Sequence, residues 1–329
     1  MSSHQNRKSM QSQTDLSSLK KGDQVDHFLL IRRSELKQTK TNKAFVSLEL
    51  GDKSASLPAN LWDNFNSILS ELVVGAVIHV EGVIEEYQNA PQIKIENVRL
   101  PKPSENISAE FFLPKSKRNL EEMKNEFKTF IAEIENSNLK KLLSLLFDDD
   151  KFERFSKAPA GKQWHHAYIH GLLEHTLEII KICKLMATFH KEINRDLIVA
   201  GAMLHDYGKI DELVFDSAFD YSDKGKLLGH IILASLRVSE AINEISEFPE
   251  ELKNQLLHLI LSHQGKLENA SPVVPRTLEA IALYHADELS AQTNAYKSAI
   301  INDVNAQSDW TKYISLISTQ LYKKEITNQ

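Results

Sequence analysis

The chain has 329 residues, a net charge of −6, a hydrophobic fraction of 42% and a charged fraction of 26%, enough for two domains with real cores. Its single cysteine, Cys183, excludes an internal disulfide framework and a thiolate metal cluster, and the expected compartment is cytoplasmic. No apolar run approaches the ~20 residues needed to cross a bilayer, so no membrane partner is expected.

Charge and histidine are unevenly spread. Residues 1–118 carry 16 Lys and Arg against 14 Asp and Glu, the remainder 23 against 31, and 10 of the 13 histidines lie at or after His165. A mildly basic front and an acidic, histidine-rich back suit a binding module joined to a domain whose carboxylates hold cations.

From the N-terminus, residues 1–22 are polar, rich in Ser and Gln, and read as a disordered tail. Residues 23–100 read as strands: Val25–Ile31, Phe45–Leu50, Ala55–Trp62, Val77–Ile84 and Gln92–Val98, with a short amphipathic helix expected over Trp62–Leu72. Five strands with a helix between the third and fourth is the order of an OB-fold β-barrel, a fold suited to single-stranded nucleic acid. Candidate base-stacking residues are Phe45, Trp62, Phe65 and Tyr87. Candidate phosphate contacts are Arg32, Arg33, Lys37, Lys40 and Lys43. The competing reading buries Phe45 and Trp62 in the barrel and leaves the lysines on a solvated loop.

Residues 101–118, punctuated by Pro101, Pro103 and Pro114, read as a linker. Residues 119–329 are expected to form an all-α bundle, giving a multidomain α and β protein. Helical spacing is visible over Asn119–Glu135, Leu139–Phe147, Ile169–Ile180, Leu256–Leu261 and Leu278–Tyr284. A helix carrying Leu197, Ile198, Met203 and Leu204 ends at His205–Asp206, with Gly208 as an expected left-handed stop and Lys209 as a cation for an anionic substrate.

His205–Asp206 is joined by His175, His230, His263 and Asp287, each on or at the end of a different expected helix. Packed helices can converge such side chains on one interior point. Four imidazoles and two carboxylates suit Mn, Fe, Co, Ni or Zn rather than Ca or an all-oxygen Mg cage. Six ligands exceed one tetrahedral site, and Asp206 has two oxygens with which to bridge a pair of ions, ~3.5–4 Å apart in two-metal hydrolases. His165, His166 and His170 cluster upstream of His175 as candidate substrate or supporting groups. Lys266, like Lys209, is a candidate for phosphate oxygens. His190 and His258 read as solvated, and His285 as structural.

These residues resemble the H…HD…D signature of the HD-domain metal-dependent phosphohydrolases, and His230 and His263 match the extra ligands of two-metal members. The segments Trp164–Thr176, His205–Ile210, Ser262–Glu268, Ser271–Pro275 and Thr277–Ala280 resemble the YhaM-type 3′–5′ exoribonucleases, over about residues 24–323. The resemblance implies removal of nucleoside 5′-monophosphates from the 3′ end of single-stranded RNA, with Mn²⁺ foremost among the divalent metals. The ligand series itself suggests catalytic roles for Asp206 and Lys209, substrate contacts at His166, His170 and Lys266, and two ions held by the six ligands. The chain departs from that pattern at His170, where Gly is usual, and at Gln264, where a second His is usual. Single-stranded DNA as substrate and a homo-oligomer stay open. So do an HD phosphohydrolase of a small nucleotide with a regulatory OB domain, and a non-catalytic nucleic-acid-binding protein with a structural metal.

Overall fold

The computed structural model describes residues 13–323 except 88, 89, 163, 217, 302 and 304–307. The chain divides into two compact units, one built on residues 1–114 and the other on 115–214 and 219–329.

In the first unit, β1 (Gln24–Gln38), β2 (Ala44–Gly51), β3 (Ser56–Leu61), β4 (Val77–Tyr87) and β5 (Ala90–Arg99) form a closed barrel in the order β1-β2-β3-β5-β4. All pairings are antiparallel except β3 with β5, and β1 against β4 closes the ring. Alternation decides which residues face inward: Val46, Leu48 and Leu50 from β2 and Ile78, Val80 and Ile84 from β4 pack with Leu29, Ile31 and Ile93. Phe65 is also in this core.

Two expectations fail here. The Trp62–Leu72 segment forms only a 3-10 turn at Leu69–Glu71; Asp63, Asn64 and Asn66 favour turns over a helix interior. The expected tail, residues 1–22, is ordered over residues 13–22. Residues 1–12 of it lie outside the described residues, but Leu16 is buried in the barrel core, and Gln13 exchanges two 3.0 Å hydrogen bonds with the Phe28 backbone. Leu16 and Leu19 supply the apolar anchors that a purely compositional reading overlooks. The 101–118 stretch likewise holds 3-10 turns, with Phe112 and Leu113 buried.

The second unit contains α1 (Leu120–Ala132), α2 (Ser137–Leu146), α3 (Asp149–Lys157), α4 (Gly171–Phe189), α5 (Arg195–Leu204), α6 (Lys209–Glu212), α7 (Asp223–Asn243), α8 (Glu250–Ser262) and α9 (Leu278–Ile301). A two-residue hairpin, β6 (Leu213–Val214) with β7 (Asp220–Tyr221), interrupts it. Side-chain caps fix the starts of α1 (Asn119), α2 (Asn136), α3 (Asp148), α5 (Asn194) and α7 (Ser222), each contributing ~1 kcal/mol. Phe127, Phe147, Phe152, Phe155 and Tyr207 form one aromatic cluster with ring centroids 4.8–6.2 Å apart. Leu172, Leu173, Leu177 and Ile180 of α4, with Leu204, Leu256, Ile260 and Leu283, are among the other buried apolar residues. No described helix is long and apolar enough to cross a membrane.

Candidate metal centre

Five elements bring the six expected ligands together. His175 lies on the buried face of α4. His205 caps the C-terminus of α5, with Asp206 immediately after it. His230 follows a break in α7, His263 caps the C-terminus of α8, and Asp287 lies within α9. All are buried except His230, whose side chain is 19% exposed.

The ligands fall into two triads, His175–His205–Asp287 and Asp206–His230–His263, the donor atoms of each lying within 4.8 Å of one another. Asp206 stands between them. Its Oδ2 lies 3.3 Å from His205 Nε2 and 3.6 Å from His175 Nε2; its Oδ1 lies 3.4 Å from His230 Nε2 and 3.7 Å from His263 Nε2. His175 Nε2 is 3.1 Å from Asp287 Oδ1. Donors ~2.0–2.2 Å from a shared ion stand ~3–3.5 Å apart, so the spacing fits.

Each imidazole is locked with its Nδ1 carrying the proton. His205 and His263 donate Nδ1–H to the carbonyls of Ala202 (2.8 Å) and Ile260 (2.7 Å), groups of the kind left over in a last helical turn. His230 donates to Glu212 Oε1 at 3.0 Å. Ser290 gives its own hydroxyl hydrogen to Glu178 (2.7 Å), so it accepts from His175 Nδ1 at 3.0 Å. All four Nε2 lone pairs therefore face the centre. Nε2 of His175, His205 and His230 and Oδ1 of Asp206 are buried without a hydrogen-bond partner. Orphaned buried polar atoms cost ~1–3 kcal/mol each unless something binds them, so the donor set fits a pair of divalent cations.

Charge follows from the packing. Burial holds His175 well below the ordinary imidazole range and His263 at about 4, leaving both as neutral donors. Burial opposes charge on His205 too, but the Asp206 carboxylate outweighs it and draws its pKa up. Burial would raise Asp206, but Lys209, His205 and His230 hold it well below the carboxylate range. Lys209 Nζ sits 2.6 Å from Asp206 Oδ2, and that attraction outweighs burial and raises its pKa.

Gly208 is not the left-handed stop expected; its φ is −64°. Close approach explains the glycine: a Cβ there would lie 2.1 Å from the His230 carbonyl oxygen.

The remaining candidates are placed variously. His165 packs on the His175 ring at 4.9 Å, and burial lowers its pKa to about 2. His166 is fully buried, with Nε2 3.4 Å from Glu178 Oε2. His170 caps α4 in a left-handed conformation (φ 71°) with Nδ1 2.7 Å from the Ser156 carbonyl. That backbone is one that glycine adopts without strain. Lys266 is exposed and pairs with Glu268 at 3.5 Å. Gln264 approaches His263 Nε2 at 3.2 Å. On the barrel, Phe45 and Trp62 stack with centroids 4.5 Å apart, and Trp62 is 42% exposed, so this pair is not core. Arg33 is exposed and paired with Glu35. Arg32 is turned into the unit, donating to the carbonyls of Asp52 (2.6 Å) and Phe112 (3.4 Å).

Glu178, Ser290 and Glu212 were not legible as functional residues. Ser290 lies three residues after Asp287 on one helix face, the one signal that could have found it. Glu178 lies three residues after His175 in the same way, whereas Glu212 is located only by its contact with His230.

One unit that is a closed five-stranded barrel and another that is helical with paired His/Asp triads define a protein that joins an OB-fold to an HD-type domain. Family models agree: residues 172–292 match the HD domain and residues 31–101 the OB-fold nucleic acid binding domain. The 3′–5′ exoribonuclease YhaM of Listeria monocytogenes is 36% identical, covering 83% of this chain and 87% of that protein; that of Bacillus subtilis is 33% identical, covering 85% and 88%. The chain belongs to the YhaM family of 3′–5′ exoribonucleases. A replication protein A domain from Methanococcus maripaludis shares 20% identity over 28% of this chain and 98% of that one, with a TM-score of 0.24, too low to bear on function.

Proposed function

We propose that this chain is a metal-dependent hydrolase that shortens single-stranded RNA from its 3′ end, releasing nucleoside 5′-monophosphates. The observation that carries the reading is Asp206, whose two carboxylate oxygens each face a separate pair of histidine Nε2 atoms. The names borne by the relatives supply the substrate class and direction. Mn²⁺ heads the metals suited to this N/O set, with Co²⁺, Fe²⁺, Ni²⁺ and Zn²⁺ as alternatives.

His175, His205, Asp206 and Asp287 would hold one ion, and Asp206, His230 and His263 the other. When bound, such a pair activates a water and neutralises charge on the scissile phosphate. The protein's own part is positional. Hydrogen bonds at Nδ1 orient all four imidazoles, and Lys209 keeps a fixed positive charge beside the reacting phosphate. The Phe45–Trp62 stack offers an aromatic face to an unpaired base. An unpaired 3′ end reaches a recessed centre without the cost of unstacking a duplex.

The test is end-labelled single-stranded RNA with protein and Mn²⁺, products resolved by length. A ladder shrinking from the 3′ end is expected. Internal cuts, or turnover of mononucleotides alone, would refute the reading.

A further inference from the structure

Helix α7 breaks one residue before His230. Gly229 adopts φ 71° and ψ 156°, a conformation open essentially to glycine alone. A Cβ there would meet nothing within 4 Å, so conformation, not crowding, requires the glycine. At this break the peptide N–H of His230 donates to Glu212 Oε1 at 3.0 Å, and the ring Nδ1–H donates to the same oxygen at 3.0 Å.

Glu212 is itself held in place. Its carbonyl accepts from Ser222 N at 2.8 Å. Gly225 approaches so closely that a Cβ would lie 2.3 Å from that carbonyl oxygen. The side chain is 10% exposed. Burial opposes its ionisation, but the bonds from His230 outweigh burial and keep it below the usual carboxylate range.

The other three ligand imidazoles differ. His205 and His263 donate to backbone carbonyls, and His175 reaches Glu178 only through the Ser290 hydroxyl. Among the four, His230 alone hands its ring proton straight to a carboxylate. A carboxylate behind Nδ1 raises the donor strength of Nε2 and fixes the ring's orientation.

We infer that Glu212 is the positioning residue of the second ion site, holding both the backbone and the ring of His230 so that Nε2 points at Asp206 Oδ1. The inference rests on the two-ion reading above. It makes the two sites unequal: the second depends directly on one carboxylate outside the ligand set, and the first meets one only through the Ser290 hydroxyl.

Full-length protein stripped of metal and titrated with Mn²⁺ by calorimetry tests this, alongside histidine-selective nitrogen NMR of the metal-free form. Wild type should take up two ions. Glu212→Gln keeps an acceptor oxygen but loses the charge. It should weaken the second ion by ~10- to 100-fold, leaving the first ion and the unfolding temperature near wild type. Glu212→Ala should weaken it further and release the slowly exchanging His230 Nδ1 proton, while those of His205 and His263 stay in place. A purely structural role would instead lower the unfolding temperature and weaken both ions alike. That result, or a second ion bound by Glu212→Gln as tightly as by wild type, overturns the inference alone. Wild type that takes up only one ion overturns the two-ion reading, and the inference with it.

Discussion

Replacing Asp206 with alanine strips Lys209 of its partner inside the protein. Asp206 is 2% exposed and Lys209 7%, and Nζ stands 2.6 Å from Oδ2. At an effective dielectric of ~20 their attraction is about 6 kcal/mol, most of it offset by the cost of taking two charges out of water. Removing one partner leaves that cost uncompensated, typically ~3–5 kcal/mol. Asp287 also draws on Lys209, so the lower end, about 3 kcal/mol, is expected for the metal-free protein. Asp206→Ala/Lys209→Met removes both charges and should restore most of the loss. Urea unfolding of metal-free protein, followed by far-ultraviolet circular dichroism, measures both variants. Asp206→Ala as stable as wild type, or a double variant less stable than the single one, would refute the argument.

Trp62→Ala should weaken single-stranded RNA binding by ~1–3 kcal/mol, read by fluorescence anisotropy, with little loss of stability because the ring is 42% exposed. Phe127→Ala, removing a fully buried ring at the centre of the aromatic cluster, should cost ~3–5 kcal/mol in urea unfolding. Glu126 is opposed by burial, but bonds from Lys181 and Arg118 lower its pKa. Its contribution is therefore present above about pH 4.3 and lost as pH falls through its folded value; the stability gap between wild type and Glu126→Gln should be constant above about pH 5 and shrink below it. Chelation should leave the helical signal intact and remove only the linkage term, about 2.7 kcal/mol for each ion at a metal concentration 100 times its Kd.

The barrel was legible because alternation marks half-buried strands: Val46, Leu48 and Leu50 turn inward as their spacing predicts. The six candidate ligands stood out in the sequence because His and Asp at helix ends carry chemistry that a core seldom needs, and the fold brings their donor atoms into two triads. Turn geometry was not. Nothing local distinguishes Gly208, required by the approach of the His230 carbonyl, from Gly229, required by its own backbone angles. Leu16 shows the same limit: its polar flanks suggest a free tail, while it packs in the barrel core and its N–H donates to the carboxylate of Asp52, 36 residues away, at 2.8 Å. Trp62 and Phe45 reveal a third limit, since an aromatic in a strand reads alike whether it faces the core or stacks on the surface.

The centre is built by the fold rather than by its ions. A site organised by metal leaves its ligands free to rotate until the ion arrives, and folding and binding become one event. Here each imidazole already has a proton acceptor behind it: two leftover helical carbonyls, a hydroxyl and a carboxylate. Those bonds would form in the metal-free chain, and those of His175, His205 and His230 leave an Nε2 with no other hydrogen-bond partner. The buried negative charge of Asp206 has a counter-ion in Lys209, so the metal-free core is not held open by repulsion. Rigid donors set at ion-binding spacing lower the ordering cost of coordination, which is what a hydrolase needs if its reacting groups are to be in place before the nucleic acid arrives.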